Sequence, residues 1–193
     1  MYMEIVLASG SPRRSEILSS IGVNFSIIPS DVEEVTDEKE PEKIVMDLSW
    51  KKASFVAEKL SGDFLIIGAD TVVFVDGVVL GKPKNKSDAF NMLKALSGRW
   101  HQVYTGVTVI SLEQNKIVKE YEKTDVYIKS LSDEMIFNYI EKGEYIDKAG
   151  SYAIQGYGSL IVDKINGDYY NVVGLPISKL HDILSREFDV HLL

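Results

Sequence analysis

A long apolar run near the middle of the chain, FLIIGADTVVFVDGVVL at residues 64–80, most constrains the fold. It predicts a strand over residues 64–75, a tight turn at Asp76-Gly77, which is a favoured type I′ pair, and a second strand over residues 78–80. The run does not suit a transmembrane helix, because Asp70 and Asp76 interrupt it and a span needs ~20 clean apolar residues. We therefore predict a strand hairpin at this position.

Segments with helical and with strand character alternate along the rest of the chain. Short apolar or alternating runs predict further strands at residues 3–8, 25–28, 103–112, 116–128 and 159–165. Helices are predicted at residues 12–21, 42–60, 88–96, 133–142 and 176–187, with Ser11, Ser87 and Ser132 as N-caps of the first, third and fourth. Helices that alternate with strands, some of them joined by hairpins, predict an α/β fold with a mixed sheet.

The length and the charge narrow the class of protein. The chain has 193 residues, with neither an internal repeat nor a linker, so we predict one domain over residues 1–193. Lys and Arg number 21 against 29 Asp and Glu. The resulting net charge of −8 argues against duplex DNA or an anionic membrane as the main partner.

Two further features bear on the cellular compartment. Cysteine is absent from the sequence, which removes disulfides, thiolate nucleophiles and cysteine zinc sites and fits a reducing environment. In the opening segment, MYMEIVLASGSPRR, the positive charges follow the short apolar run, which is the reverse of a secretory signal. We therefore predict a cytoplasmic protein.

The segment LASGSPRR, residues 7–14, has the features of an anion site. A strand is predicted to pass through a turn of small residues into a helix N-terminus, whose unpaired N–H groups attract anions. Arg13 and Arg14 lie in the first helical turn, where stability alone would favour Asp or Glu. In an acidic protein this favours a phosphate-bearing ligand. The alternative is that Ser11 only caps the helix and both arginines are solvated.

Lys52 and Asp70 are charged residues at positions where the pattern predicts burial. Lys52 lies in the middle of the apolar face of the helix at residues 42–60, and lysine is rarely buried without a partner, so we expect it to point into a polar cavity. Asp70 interrupts an apolar strand, where strand preference and desolvation both disfavour a carboxylate. Gly68 beside it permits close approach of another backbone or a ligand. For Asp70 we favour a metal-binding or general-base role over a structural one.

Other polar residues are weak candidates for a functional site when each is taken alone, and they count only together with the motifs around them. Lys82 follows the hairpin and precedes a proline, a position where lysine is normally solvated. Asp31, Glu33 and Glu34 follow a predicted strand, and one of them is a candidate Mg²⁺ ligand, since hard cations take carboxylate oxygens. In the glycine-rich segment AGSYAIQGYG, Gln155 offers both a donor and an acceptor to the edge of a base.

Together these segments resemble the Maf family of nucleoside triphosphate pyrophosphatases, and the resemblance covers nearly the whole chain. The matching motifs, in order, are LASGSPRR, Glu33, Lys52-Ala53, GADTVV, LGKP, SGRWHQVYTGV at residues 97–107 and the GSYAIQG loop. The resemblance implies a Maf/ITPase-like α/β fold, a mixed, twisted sheet flanked by helices in two lobes around a central cleft. It also implies dependence on a divalent cation, Mg²⁺ or Mn²⁺, and a homodimer.

The resemblance further implies a reaction and roles for individual residues. Family members of the matching subgroup hydrolyse dTTP and UTP, or modified pyrimidine nucleotides, between the α and β phosphates, giving the monophosphate and pyrophosphate. Asp70 is implied as the residue that acts as base on the attacking water or orients it and, with Glu33, as a metal ligand. The residues implied to bind the phosphates are Ser9, Arg14, Lys52 and Lys82.

Three positions place the resemblance within the dTTP/UTP subgroup. Arg13, Thr71 and Gln155 are implied to read the pyrimidine, whereas members that act on 7-methyl-GTP have an aromatic residue in place of the first arginine and differ at the other two positions. Ser151 and Ala153 depart from the family, because they replace the alanine and the second glycine usual in GAYGIQG. Ala153 restricts the loop if a glycine there needs a positive φ.

Two other classes of protein stay open. A non-catalytic nucleotide-binding regulator of cell division, acting in septum formation, would use the same arginines and lysines without needing Asp70. A nucleotidyltransferase is suggested by the turn of small residues after the first strand, although that class normally has a more glycine-rich opening. Pyrophosphate release from UTP and Mg²⁺ would separate these possibilities.

Overall fold

A seven-stranded sheet is formed within residues 4–193, the part of the chain that this computed structural model describes. The strands are β1 (Glu4–Leu7), β2 (Phe25–Ile27), β3 (Phe64–Val75), β4 (Val78–Leu80), β5 (Trp100–Ser111), β6 (Lys116–Ile128) and β7 (Val162–Asn166). The helices are α1 (Pro12–Ser20), α2 (Pro41–Ala57), α3 (Lys86–Leu96), α4 (Asp133–Glu141), α5 (Tyr169–Val173) and α6 (Ile177–Phe188). Two 3₁₀ helices, Ala149–Ser151 and Gly156–Leu160, precede β7.

The sheet is mixed, as the alternation of elements predicted. Its strand order is β2-β1-β3-β5-β6-β7, with β4 paired to β3. Strand β1 pairs in parallel with β2 and with β3, whereas β4 is antiparallel to β3 and β7 is antiparallel to β6. Helix α1 connects the parallel strands β1 and β2, since parallel neighbours need a crossover connection. The predicted α/β fold with a mixed sheet is therefore confirmed.

The hairpin of β3 and β4 has the bounds that the sequence predicted. Asp76 and Gly77 both have a positive φ, 49° and 79°, which is what a type I′ turn requires of its two central residues. Nine of the 12 residues of β3 are buried and the other three are half-buried, so side chains on both faces of this strand are covered. Asp70 thus lies in the interior of the molecule.

The described chain divides into two compact units, and each has a hydrophobic core of its own. Unit 1 comprises the residues up to Asp70 together with Thr105–Glu122 and Gly174–Leu193, and unit 2 comprises Thr71–Tyr104 and Lys123–Val173. The core of unit 1 is built from Val6, Ala8, Ala53, Val56, Ile66 and Ile110. The core of unit 2 includes Val73, Leu93, Leu96, Val126, Ile128, Ile136 and Tyr152. The prediction of a single domain over 1–193 stays a prediction.

Some predicted boundaries are wrong. Helix α3 begins after Asn85, whose side chain accepts a hydrogen bond from the Asp88 amide, so Asn85 and not Ser87 is its N-cap. The strand predicted at 159–165 begins only at Val162, because residues 156–160 form a 3₁₀ helix. Helix α5 was not predicted, since its sequence, YYNVV, is aromatic and β-branched and favours strand.

The first predicted strand was placed at residues 3–8, and residue 3 lies outside the described part. Within residues 4–193, every helix is too short or too polar to cross a membrane.

Candidate active site

Asp70 is buried in unit 1 and is paired with a lysine. The Nζ atom of Lys52, on α2, lies 2.6 Å from Oδ1 of Asp70. The same nitrogen lies 2.7 Å from Oε1 of Glu34, in the loop before α2. The side chains of Lys52 and Asp70 are 10% and 8% exposed, whereas that of Glu34 is 39% exposed. Lys52 is therefore buried among polar partners, as its place on an apolar helix face predicted.

Two glycines allow α2 to lie directly on the strands of unit 1. A Cβ atom on Gly68, in β3, would lie 2.3 Å from the carbonyl oxygen of Ser49. A Cβ atom on Gly106, in β5, would lie 2.2 Å from the carbonyl oxygen of Val45. The hydroxyl groups of Ser49 and Thr108 are also hydrogen-bonded across this contact, 2.9 Å apart. The close approach predicted at Gly68 is thus made by helix backbone, and it brings Lys52 to Asp70.

The turn between β1 and α1 is held by Ser9 and Arg14. The buried Ser9 Oγ accepts hydrogen bonds from the Ser11 amide at 3.2 Å and from Arg14 Nη1 at 3.1 Å. Arg14 Nε donates to the carbonyl oxygen of Gly174 at 2.8 Å. Ser11 stands at the N-cap of α1, but its side chain makes no capping hydrogen bond. The alternative, in which Ser11 caps the helix and both arginines are solvated, is therefore wrong for Ser11 and for Arg14.

Burial and neighbouring charges shift the pKa values of Asp70 and Arg14. Burial raises the pKa of Asp70, against the opposing effect of Lys52 and Arg14, and the negative charge of Glu34 raises it further. Burial likewise lowers the pKa of Arg14, against the opposing effect of Asp70 and Glu34. A carboxylate with a raised pKa is a stronger base than an ordinary aspartate. Asp70 is thus suited to accept a proton.

Two carboxylates of this site are the oxygen donors that would hold a divalent cation. Carboxylate oxygens of Glu34 and Asp70 both lie within 2.7 Å of one Lys52 nitrogen, so the two carboxylates are neighbours with the Lys52 ammonium group between them. Residues 4–193 contain no cluster of three or more His, Cys, Asp or Glu side chains arranged to hold a metal. Magnesium is commonly held by one or two carboxylates plus substrate phosphates, and the Glu34–Asp70 pair matches that pattern.

Glu34 was one of three acids, with Asp31 and Glu33, that the sequence offered as candidate Mg²⁺ ligands, and it is the one that contacts Lys52. Glu33, the predicted metal ligand, is exposed, and its role stays a prediction. Residues 28–40 form neither helix nor strand, so no periodicity indicates which of the neighbouring acids points inward. The contact of Arg14 with Gly174 was missed, because a backbone carbonyl leaves no signal in the sequence.

The remaining predicted residues are distributed over both units. Arg13 is half-buried in the first turn of α1, in unit 1. Thr71 follows Asp70 on β3 and is half-buried, while Lys82 is exposed in the loop after β4. Gln155 is exposed in the loop between the two 3₁₀ helices. Thr71, Lys82 and Gln155 belong to unit 2, and their roles stay predictions.

The described chain thus combines a mixed α/β sheet with a buried acid that is paired with Lys52 and lies within the electrostatic reach of Arg14. The family model described as Maf-like protein matches residues 4–187, so the chain belongs to the Maf family. The family resemblance inferred from the motifs is thereby confirmed.

Relatives of known name align along almost the full length. A dTTP/UTP pyrophosphatase from Thermoanaerobacter sp. (strain X514) is 60% identical over 191 residues, which are 99% of this chain and 100% of that protein. One from Caldanaerobacter subterraneus subsp. tengcongensis is 57% identical, covering 97% of this chain and 91% of its own. One from Clostridioides difficile (strain 630) is 49% identical, covering 98% of each.

Among solved structures, a HAM1 protein from Coxiella burnetii aligns at a TM-score of 0.45 and 15% identity. The alignment covers 66% of this chain and 73% of that one.

Proposed function

We propose that this protein is a nucleoside triphosphate pyrophosphatase that hydrolyses dTTP and UTP to the nucleoside monophosphate and pyrophosphate. The observation that carries the proposal is the buried Asp70 carboxylate, 2.6 Å from Lys52 and within the field of Arg14. The substrate class is supported by the dTTP/UTP pyrophosphatases that are 49–60% identical over nearly the whole chain.

In the proposed reaction, Asp70 accepts a proton from the attacking water. The water oxygen bonds to the α-phosphorus, the bond from that phosphorus to the bridging oxygen breaks, and pyrophosphate leaves with the bridging oxygen. The raised pKa of Asp70 increases its basicity, and Lys52 holds its carboxylate in place. Burial in unit 1 keeps bulk water away from the base.

Positively charged side chains and the first backbone amides of α1 are proposed to bind the phosphates. Lys52 and Arg14 offset the negative charge of the triphosphate. Stabilising that charge usually makes the largest contribution to the rate of phosphoryl transfer. The first turn of α1 carries no acidic residue, and the Ser11 side chain does not cap it. Its amides therefore suit an anion. Ser9 supports this turn by accepting from Ser11 and Arg14.

A divalent cation, Mg²⁺ or Mn²⁺, is part of the proposal. Glu34 and Asp70 would hold it, with Glu33 as the acid implied by the family resemblance. When bound, such a cation adds positive charge at the phosphates and orients them.

Further parts of the proposal concern selectivity and assembly. Arg13, Thr71 and Gln155 are proposed to read the pyrimidine, and Lys82 to contact a phosphate. A homodimer and a cytoplasmic location are also proposed. The names of the relatives lend no support to a non-catalytic regulator of cell division.

The test is to incubate the purified protein with UTP or dTTP and Mg²⁺ and to measure pyrophosphate and orthophosphate separately. Stoichiometric pyrophosphate and nucleoside monophosphate are expected. Release of orthophosphate instead would place cleavage at the γ-phosphate and contradict the proposal. Omitting the metal and adding a chelator tests whether the reaction depends on a divalent cation. Light scattering after gel filtration tests whether the protein is a homodimer.

A further inference from the structure

A buried segment of unit 2 presents Gln155 at an exposed tip. Residues 150–154 are buried, whereas Gln155, Gly156 and Tyr157 are exposed. Two 3₁₀ helices flank the tip, and the segment between them, residues 152–155, belongs to no helix or strand. This loop has no strand pairing to hold it, so its conformation depends on side-chain contacts.

One of these contacts is a buried pair of ring side chains. His101, on β5, and Tyr152 are 2% and 5% exposed, and His101 Nε2 lies 2.7 Å from the Tyr152 hydroxyl. The two rings meet edge to face with centroids 5.4 Å apart. The other ring nitrogen of His101, Nδ1, is buried without a hydrogen-bond partner among the described residues. An unpaired buried nitrogen lowers stability, so packing alone does not account for a histidine at this position.

The backbone beside Tyr152 is held in a demanding conformation. Gly150 and Ser151 both have left-handed φ values, 66° and 65°, and Ser151 is fully buried. A Cβ atom on Gly150 would lie 2.9 Å from a methyl carbon of Val73. Next in the chain, the Ala153 amide donates to the Tyr139 hydroxyl at 3.1 Å. Such a conformation persists only where the surroundings fix it.

The loop is fixed on the far side of Gln155 as well. The Glu144 carboxylate accepts hydrogen bonds from the amides of Tyr157 and Gly158, at 2.9 and 3.1 Å. Gln155 is the exposed residue between the buried anchor at Tyr152 and this carboxylate anchor. Its amide is therefore presented from a segment held at both ends.

The same loop is tied to the segment that carries Lys82. The Gly150 amide donates to the carbonyl oxygen of Gly81 at 3.1 Å, and Gly81 directly precedes Lys82. The loop is therefore anchored through Gly150 as well, ahead of Tyr152 in the chain.

We propose that His101 and Tyr152 are positioning residues for nucleobase selection. Their buried hydrogen bond fixes the loop that presents Gln155, and neither residue itself contacts the substrate. The inference rests on the proposed function, in which Gln155 reads the pyrimidine. A merely structural role would lower the amount of folded protein without changing the preference among nucleotides.

The first test is Tyr152→Phe, which removes the hydroxyl and keeps the ring contact with His101. We expect KM for UTP to rise about threefold to tenfold, the range that one lost hydrogen bond produces. The kcat for UTP should stay within about twofold, because Tyr152 touches no reacting atom. The preference for UTP over GTP, as the ratio of kcat/KM values, should fall by the same factor as KM rises.

The matched control is Tyr127→Phe, in which a half-buried tyrosine of unit 2 loses a hydrogen bond to the carbonyl oxygen of Gly98 and not to a residue of the loop. This variant should keep the wild-type preference. Thermal unfolding shows whether each variant is folded. If Tyr152→Phe does not fold, Tyr139→Phe replaces it, because Tyr139 anchors the same loop at Ala153.

A double-mutant cycle then tests the route through Gln155. In a Gln155→Ala background, Tyr152→Phe should change the UTP-to-GTP preference by less than about 1.5-fold, because the group it positions is gone. An undiminished effect in that background, or an unchanged preference in the single variant, overturns the inference alone. Failure of the wild-type protein to release pyrophosphate overturns the proposed function and this inference together.

Discussion

The ammonium nitrogen of Lys52 lies 2.6 Å from Oδ1 of Asp70, and each side chain is at most 10% exposed. Each charge therefore depends on the other for compensation in the interior. Under the proposed mechanism, catalysis and stability are coupled at this pair, because freeing the Asp70 carboxylate for chemistry leaves the buried Lys52 ammonium group with less compensating charge. Glu34 moderates that coupling by giving Lys52 a second, more exposed partner.

Asp70→Asn separates the two effects. We expect turnover of UTP to fall about 10²–10⁴-fold, because an amide cannot accept the proton of the attacking water. The protein should stay folded, since the asparagine oxygen can still accept from Lys52 and Lys52 keeps Glu34. Steady-state pyrophosphate release and circular dichroism measure the two outcomes.

The control for this variant is Asp163→Asn, at an exposed position of β7, which should keep wild-type turnover. Near-normal activity in Asp70→Asn would remove Asp70 from the chemistry.

Lys52→Met tests the other member of the pair. Two carboxylates then face each other without the ammonium group, and we expect the free energy of unfolding to fall by about 3 kcal/mol. Lys59→Met is the control, because Lys59 is exposed and only lies over the Phe55 ring, 3.6 Å from its centroid. That change should cost less than about 1 kcal/mol. Equal losses in urea unfolding of the two variants would show that Lys52 is not a buried ion-pair partner.

Gly68→Ala tests whether the close packing of α2 on β3 brings Lys52 to Asp70. The added methyl would lie 2.3 Å from the Ser49 carbonyl oxygen, so α2 must move away from β3. We expect a loss of about 1–3 kcal/mol in the free energy of unfolding and a lower kcat, because Lys52 moves with the helix.

Gly81→Ala serves as the control for stability, since its added methyl meets nothing within 4 Å. If Gly68→Ala folds as stably as the wild type and retains its kcat, the helix does not need the glycine to bring Lys52 to Asp70.

The sequence predicted those features of the site that follow from regular periodicity. Lys52 was recognised because a helix face assigns it to the interior, and Asp70 because a strand does the same. The choice between Glu33 and Glu34 could not be predicted, because both lie in irregular chain without a repeat.

For the fold as well, the features that local sequence patterns define were predicted correctly. The hairpin bounds at residues 64–80 were predicted correctly, because an Asp-Gly pair and two apolar runs define them locally. The segment 156–160 was predicted incorrectly as partly strand. Its conformation depends on the Glu144 carboxylate binding two of its amides, a contact made by a residue at least 12 positions earlier in the chain.

The pH dependence of stability should report on His101. Burial lowers the pKa of this imidazole from 6.5 to about 4. Between these values the unfolded chain binds more protons at this residue than the folded protein does, so the free energy of unfolding rises with pH across that window. The full contribution, about 3 kcal/mol, is present above pH 6.5 and is lost as the pH falls to about 4.

His101→Gln removes this titration while keeping a polar partner for Tyr152. In urea unfolding at a series of pH values, the slope between pH 4 and 6.5 should therefore be smaller in the variant than in the wild type. His191→Gln, at an exposed position, should keep the wild-type slope because His101 is intact. Identical slopes in wild type and His101→Gln would mean that the imidazole is as accessible to protons in the folded protein as in the unfolded chain. The buried pair that anchors the loop would then not exist in solution.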